Sequence, residues 1–474
     1  MPNVEVEPGS FRDRTGRIVY ADGAVYRLLS RQGQAEWRAL SSSDFFRQCL
    51  QEEKIIATEE AGWEELGPEV SFSPESWPGL LRHQRIPFIS YPYEWSFDML
   101  KDAALLHLDL LRRALAADML MKDSSPYNVQ WHGTDPVFID VLSFQRLEQG
   151  EPWSGYRQFC QLFLNPLLLE AYKKVDFRPF LRGSIEGITP AQCDALMSLR
   201  DRFRRGVFSH VYLQSKLENR FAHSRQPVKG QIQQAGFDKS LIERNVQNLH
   251  RLIARLRKTE GSSPWSDYVR QHSYSDGDQQ AKADFVRRGV SMIGPNLVWD
   301  LGCNVGEFSR IAAEAADYVV AIDSDSLTVG RLYRQLKHEG NRKILPLVVN
   351  LADPSPDLGW RCRERRELSA RGTPDLTLCL ALVHHMVIGA NIPLDEFIDW
   401  LASLNSSLII EFVSKEDPMA QALLRNKPDQ YRDYNQALFE ECLRKHFRLR
   451  HRRVLTSGTR VLYLAERIRP SLPG

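Results

Sequence analysis

Two glycines four residues apart, Gly302 and Gly306, stand in the run Leu297 to Ser309, LVWDLGCNVGEFS. The pattern predicts an apolar strand ending at Asp300-Leu301, and FSRIAAEAA reads as the helix that follows. One glycine permits the bend, and the other permits close approach at a helix start. A strand, a glycine-rich turn and a helix form the nucleotide-binding beginning of an α/β sheet. The next strand, Tyr318 to Ile322, ends in Asp323, 23 residues after Asp300. A carboxylate at that strand exit is placed to accept hydrogen bonds from two ribose hydroxyls. A nicotinamide fingerprint needs G-x-G-x-x-G, whereas Asn304 and Glu307 occupy its middle and last positions. No GK[ST] follows, which removes the P-loop reading.

The segment DLGCNVG followed by VVAIDSD resembles motifs I and post-I of class I S-adenosylmethionine-dependent methyltransferases. The resemblance implies that Gly302, Asn304 and Gly306 approach the methionine moiety and that Asp323 holds the ribose. A third strand, Ile344 to Val349, exits into NLADPSP, at a position resembling the adenine-contacting loop, so Leu351, Ala352 and Asp353 are candidates. Two alternatives stay open. Asp300 either touches ligand or orients the loop, and Asp353 either meets the adenine amine or holds the loop before Pro354. A fourth strand, Asp375 to Leu380, exits into ALVHHM. A fifth, Leu408 to Val413, carries Glu411, and residues 446–454 and 460–465 make a closing antiparallel pair. The implied fold class is α/β, a class I methyltransferase Rossmann-like sheet at the C-terminus, and the implied cofactor is S-adenosyl-L-methionine.

Methyl transfer is an in-line substitution at a sulfonium methyl, so the protein must align a nucleophile and, for some acceptors, remove a proton. His384 and His385 leave the fourth strand at its carboxyl edge, where ligands bind such sheets. Histidine titrates near neutrality, which makes either one a candidate base toward a hydroxyl, with consecutive residues pointing apart. The alternative is that one packs below the cofactor and the other caps a loop. Tyr274 and Lys282 lie in YSDGDQQAKADFV, ahead of the first strand. In related folds that region lies over the cofactor, and Tyr268 and Tyr274 either close that side or are packing residues of a helix ahead of the domain. No HxH, HxxxH or CxxC accompanies the histidines, so no metal site is expected. The arginine-rich runs Arg361 to Arg371 and Arg448 to Arg453 read as solvated surface.

These residues need a chain large enough to position them. At 474 residues, 43% hydrophobic, two or three cores are expected. The reading divides the chain into a mixed α+β region at 1–150, a mainly helical extension and linker at 151–276, and the methyltransferase domain at 277–474. Sixty-two basic residues nearly balance 60 acidic ones. A whole surface built to neutralise phosphates is therefore not expected, and nucleic acid is not the favoured partner. The seven cysteines are widely spaced, with no CxxC, which fits a reducing cytoplasm. The polar start MPNVEVEPGSFRDR has no apolar h-region, and no apolar run reaches bilayer length, so no membrane insertion is expected.

Within the first region, Asp22-Gly23 predicts a hairpin turn, Asp44 to Gln51 a helix and Lys54 to Thr58 a strand. Leu100, Ala104, Leu108, Leu111 and Leu115 predict an amphipathic helix over 97–119. Residues 152–255 read as helical with breaks near Pro166, 183–190 and 225–230. The string LMKDSSPYNVQWHGTDPVFIDVLSF resembles the catalytic loop and metal-binding aspartate of kinase-like phosphotransferases. That resemblance makes Asp123 the base and Asn128 and Asp140 the metal ligands, with Lys54 as the strand lysine. The departures are clear: no Gly-rich loop, Met121-Lys122 before the aspartate, and Val-Leu after Asp140. From the aromatic segment IPFISYPYEW through LIIEFVSKEDP, the chain resembles bacterial NoeA-type nodulation-protein methyltransferases. The acceptor expected is a small molecule or glycan, with RNA, protein or a bifunctional kinase-methyltransferase as alternatives.

Overall fold

The computed structural model describes residues 4–67, 72–222, 238–258, 276–427 and 430–468. The chain forms two compact units. One comprises Met1–His132, Pro136–Thr259 and Asp357–Arg365; the other comprises Gly133–Asp135, Glu260–Pro356 and Arg366–Gly474.

The first unit opens with an antiparallel sheet of β1 (Glu5–Val6), β2 (Gly16–Ala21), β3 (Ala24–Leu29), β4 (Thr58–Glu60) and β5 (Gly79–His83), in the order β1-β2-β3-β5-β4. Asp22 and Gly23 turn β2 into β3 with φ of 47° and 80°, the left-handed pair that a two-residue hairpin requires. Helices α1 (Arg31–Ser41) and α2 (Asp44–Gln51) follow, each started by a serine side chain, Ser30 and Ser43, accepting a backbone N–H. The strand expected at Lys54 begins only at Thr58. Residues 54–56 instead bond to Phe138: Ile56 N–H donates to its carbonyl, and its N–H donates to the Lys54 carbonyl, both at 2.9 Å. Lys54 itself is held by Asp109 at 2.8 Å and Glu52 at 3.0 Å.

Helix α3 (Phe97–Ala116) is capped by Ser96 and buries Leu100, Ala104, Leu108, Leu111 and Leu115 completely. Full burial of each leucine contributes about 1.5–3 kcal/mol, which outweighs the helix's modest intrinsic propensity. Then come β6 (Met119–Met121), β7 (Val129–His132), β8 (Asp135–Phe138) and β9 (Phe144–Arg146), paired β6 with β9 and β7 with β8. No helix break occurs at Pro166. A π-helical stretch, Cys160–Leu164, feeds directly into the helix Asn165–Lys173. Proline stands in that helix's first turn, where the wider preceding turn leaves no N–H to satisfy. The helix Lys239–Arg255 buries Ile242, Val246, Leu249 and Ile253, and Lys101 of α3 donates to the Ala254 and Leu256 carbonyls at 3.0 Å. Residues 151–258 therefore fold with the first 150. The expected break at 225–230 and most of the expected linker, Tyr268 and Tyr274 included, lie outside the described residues.

The second unit is built on one mixed α/β sheet. Its strands are β10 (Leu297–Leu301), β11 (Tyr318–Asp323), β12 (Ile344–Val348), β13 (Leu376–Cys379), β14 (Ser407–Val413), β15 (Phe447–Val454) and β16 (Arg460–Arg467). They lie in the order β12-β11-β10-β13-β14-β16-β15. The first five are parallel, and β16 runs antiparallel between β14 and β15. The parallel strands are nearly continuous apolar runs, as strands covered on both faces must be. The arginine run 448–453 falls on β15, the sheet's outer strand, mostly exposed. Charge there discourages edge-to-edge pairing with another sheet.

Candidate functional site

The strand order reverses between β10 and β13, and an open α/β sheet takes its ligand at the carboxyl ends beside such a switch. The glycine turn leaves β10 at this point. Gly302, Asn304 and Gly306 all hold left-handed backbone, with φ of 77°, 47° and 77°. At position 306 a Cβ would lie 2.6 Å from a methyl of the Leu332 side chain, and with the left-handed backbone this favours glycine at the start of the helix Glu307–Ala313. At Gly302 the nearest neighbour, Leu382, stands at 3.4 Å, and the backbone angle alone favours glycine there.

The turn is tied to β11. The N–H groups of Gly302 and Cys303 donate to the Ile322 carbonyl at 2.8 and 2.9 Å. Asn304 N–H donates to one Asp323 oxygen and Asp325 N–H to the other, both at 2.9 Å. Each carboxylate oxygen keeps acceptor capacity beyond these bonds. Burial pushes the Asp323 carboxyl above its usual range, and the two amides partly offset that. The Asn304 Oδ1 atom is buried and has no hydrogen-bond partner among the described residues. An acceptor left that way costs about 1–3 kcal/mol unless a ligand donates to it.

The third-strand loop lies beside Asp323, because Val349 N–H donates to the Asp323 carbonyl at 2.9 Å. Asn350 then holds a tight turn, its side chain accepting from Ala352 N–H and its carbonyl from Asp353 N–H, both at 3.0 Å. Ala352 and Asp353 are exposed, and Leu351 is half-buried. One sheet edge thus gathers Gly302, Asn304, Gly306, Asp323 and residues 351–353.

Asp300 and Lys282 sit deeper. Asp300 is buried and accepts from Ser309 Oγ at 2.5 Å, which ties the strand to the following helix. Desolvation pushes its carboxyl up to about 6, against the Ser309 bond and the Lys282 charge. Lys282 is buried and pairs with Glu411 at 2.7 Å, its ammonium 4.7 Å from the Phe308 ring. Arg460 of β16 reaches Glu411 at 3.3 Å and clasps Asp417 through two bonds of 2.7 and 3.0 Å. Desolvation lowers Lys282 despite Glu411. A buried ammonium needs a partner, and Glu411 supplies it. Arg460 and Asp417 carry no spacing signal in the sequence, whereas Glu411 does, as a lone charge within the apolar run LIIEFV.

The histidine pair departs from the expected alternation. His384 and His385 lie on a helical turn, where neighbours differ by about 100°, not 180°. Their ring centroids are 4.1 Å apart. His384 is fully buried, and neither ring nitrogen has a hydrogen-bond partner among the described residues. His385 is half-buried. Desolvation holds His384 well below its usual range and His385 at about 4, with Arg460 adding to both. Both rings are neutral at pH 7.

A stability consequence follows from linkage. The unfolded chain protonates His385 near 6.5, and the folded chain only near 4. Unfolded protein therefore binds more protons in between, and stability falls as pH drops from about 6.5 toward 4. Each pKa unit corresponds to about 1.4 kcal/mol. Denaturant unfolding across this window should show a shallower acid loss for His385→Gln than for wild type. Parallel profiles would contradict the neutral, buried assignment.

In the other unit, Asp123, Asn128 and Asp140 come together. Burial raises Asp123, followed by the charge of Asp140, and Asn128 bonds to it. Asp140 is occupied: Arg27 of β3 lies 2.5 Å from one oxygen, and Ser143 Oγ donates to the other at 2.5 Å. Desolvation would raise Asp140, but Arg27 and Ser143 bring it below the usual carboxylate range. Lys122 pairs with Glu36 of α1 at 2.9 Å. The run 361–371 is not all surface, because Arg365 is buried, with its guanidinium 4.0 Å from the Tyr127 ring centroid. Among the described residues, no group of three or more His, Cys, Asp or Glu is arranged to hold a metal ion, and no helix is long and apolar enough to cross a membrane.

No protein-family model matches the chain. It is 32% identical over 462 residues to the nodulation protein NoeA of Rhizobium meliloti (strain 1021), covering 97% of this chain and 95% of that protein. Among solved structures, the N-methyltransferase NodS of Bradyrhizobium japonicum WM9 aligns at TM-score 0.30 with 12% identity, over 41% of this chain and 98% of that one. The bifunctional kinase-methyltransferase WbdD aligns at TM-score 0.30 with 22% identity, over 46% of each chain.

Proposed function

The chain belongs to the family of the nodulation protein NoeA, and we propose that its second unit transfers a methyl group from S-adenosyl-L-methionine to a small-molecule or glycan acceptor. The observation that carries this reading is the sheet edge itself. A left-handed glycine turn after the first strand meets a second-strand carboxylate that retains acceptor capacity, beside a buried amide oxygen without a partner. The cofactor supplies an electrophilic methyl on sulfur. Asp323 would hold it by accepting from its ribose hydroxyls, Asn304 Oδ1 would accept from its ammonium, and the turn at 350–353 would take its adenine. These are donors and acceptors the residues present can satisfy.

Proton removal falls to His385 where the acceptor is a hydroxyl. It is the less buried of the pair and neutral at pH 7, so a ring nitrogen can take a proton. A pKa of about 4 makes it a weak base, better suited to accepting a proton late in transfer than to pre-forming an alkoxide. His384, fully enclosed, packs against it. The test of cofactor class is calorimetry. S-adenosylmethionine and its demethylated product should both bind one site per chain. Tight binding of NAD with silence toward both would overturn the assignment.

For the first unit we read a kinase-like frame without phosphoryl transfer. Asp123, Asn128 and Asp140 keep the spacing of a metal site, but Arg27 holds the Asp140 oxygen that a metal would need. With magnesium, ATP and the methyl acceptor present, no stoichiometric phosphate transfer is expected. Transfer that Asp140→Ala abolishes would make the enzyme bifunctional.

A further inference from the structure

The surface of the first unit between Leu196 and Leu217 serves no part of either site, yet it displays a run of large apolar side chains. Leu196, Leu199, Phe203, Phe208, Leu213 and Leu217 are all exposed, Leu199 at 72% and Phe203 at 93%. Isolated exposed apolar residues are ordinary, but six within 22 residues of one segment are not. The segment is also strongly basic. Arg200, Arg202, Arg204, Arg205 and Lys216 stand against a single acidic residue, Asp201, in a chain whose charges otherwise nearly cancel.

The display is held in place. Val207 and Val211 are fully buried and Met197 nearly so, which anchors the segment on both sides of its tip. Ser198 caps the short helix Leu199–Phe203 by accepting from Asp201 N–H. Asp201 is tied to Lys173 at 2.8 Å and to Arg204 at 3.2 Å. The Arg202 guanidinium lies 4.0 Å from the Tyr212 ring centroid, and that of Arg204 lies 4.9 Å from the Tyr172 ring centroid. The chain therefore buries Val207 and Val211 here and leaves Phe203 the most exposed of its apolar side chains, between arginines.

We propose that this segment is a peripheral docking surface for an anionic lipid bilayer, with Leu199 and Phe203 entering the headgroup and acyl boundary and the flanking arginines contacting lipid phosphates. Apolar side chains interleaved with basic ones are the composition that binds the interface of anionic membranes. Single-stranded nucleic acid also uses an aromatic residue among arginines. Here, however, four of the six exposed apolar residues are leucines, which offer no face for base stacking. The proposal does not rest on the methyl-transfer reading.

The test uses the full chain with vesicles of phosphatidylcholine alone and of phosphatidylcholine mixed with phosphatidylglycerol, followed by sedimentation. Association is expected with the mixed vesicles, weakened by added salt and absent with phosphatidylcholine alone. Leu199→Ser/Phe203→Ser should lower the partition coefficient roughly tenfold or more. Its melting temperature should not change, because neither side chain is buried. Arg200→Glu/Arg205→Glu should lower binding comparably through charge alone. Equal binding to both vesicle types, or a serine double variant that sediments like wild type, would overturn the proposal. So would a single-stranded RNA oligomer that displaces the protein from vesicles while contacting the same residues, or a dimer that buries Phe203 in solution.

Discussion

Asp323→Ala should weaken binding of S-adenosylmethionine and of its demethylated product by two to four decades. Each charge-assisted hydrogen bond to a ribose hydroxyl contributes roughly 1.5–3 kcal/mol. Two such bonds therefore amount to about 3–6 kcal/mol, at about 1.4 kcal/mol per decade. The same substitution frees the N–H groups of Asn304 and Asp325, which now donate to the carboxylate at 2.9 Å. The glycine turn loses its side-chain tie to β11, keeping only the Gly302 and Cys303 bonds to the Ile322 carbonyl, and becomes less well placed for the ligand. Asp323→Asn separates the two effects. It retains one oxygen acceptor and no charge, so its affinity should fall between those of wild type and Asp323→Ala. Calorimetric titration of all three proteins measures the order. An unchanged dissociation constant for Asp323→Ala would mean that the ribose lies elsewhere.

The second large effect concerns folding. Glu411→Leu should destabilise the second unit by about 3–5 kcal/mol, the usual loss when one member of a buried ion pair is removed. Lys282 would be left enclosed without its 2.7 Å partner, while Arg460 would still hold Asp417. For a unit of this size that corresponds to a drop in melting temperature of roughly 6–20 °C. The double variant Lys282→Met/Glu411→Leu removes both charges and keeps volume, so it should recover most of the loss. If the double variant is as unstable as the single one, the pair is not what the strand needs. Scanning calorimetry on the three proteins decides.

These two predictions draw on different kinds of information. Asp323 was legible from sequence because its role depends on local order: apolar strand, glycine turn, helix, second strand, carboxylate. Each of the five parallel strands begins and ends within about a residue or two of where the apolar runs place it. Arg460 was not legible. Its partners Glu411 and Asp417 lie 49 and 43 residues away, and they meet only because β16 inserts antiparallel beside β14. Spacing along a chain carries no trace of such a pairing.

Other departures have equally specific causes. Lys54 looked like a strand residue by composition, but its backbone bonds to Phe138, a partner 84 residues on. Pro166 looked like a breaker, but a π-turn directly before it accommodates the missing donor. The two histidines were expected to point apart because a strand exit was assumed to stay extended, and a helical turn begins there instead. Arg365 sat in a run that reads as solvated surface, and its stacking on Tyr127 depends on a contact 238 residues away in sequence. In the first unit the spacing of Asp123, Asn128 and Asp140 was visible, whereas the cation that occupies Asp140 was not, because Arg27 reaches it across 113 residues.

The central claim is methyl transfer, and the most direct test follows the methyl group itself. The full chain is incubated with S-adenosylmethionine labelled on its transferable methyl, together with bacterial extract fractionated by size, and the labelled product is weighed by mass spectrometry. Label should appear in a small-molecule or glycan fraction with wild type and be lost with Asp323→Ala. Wild type that binds no S-adenosylmethionine and leaves every fraction unlabelled would contradict the account, and label confined to protein or RNA would contradict its acceptor class.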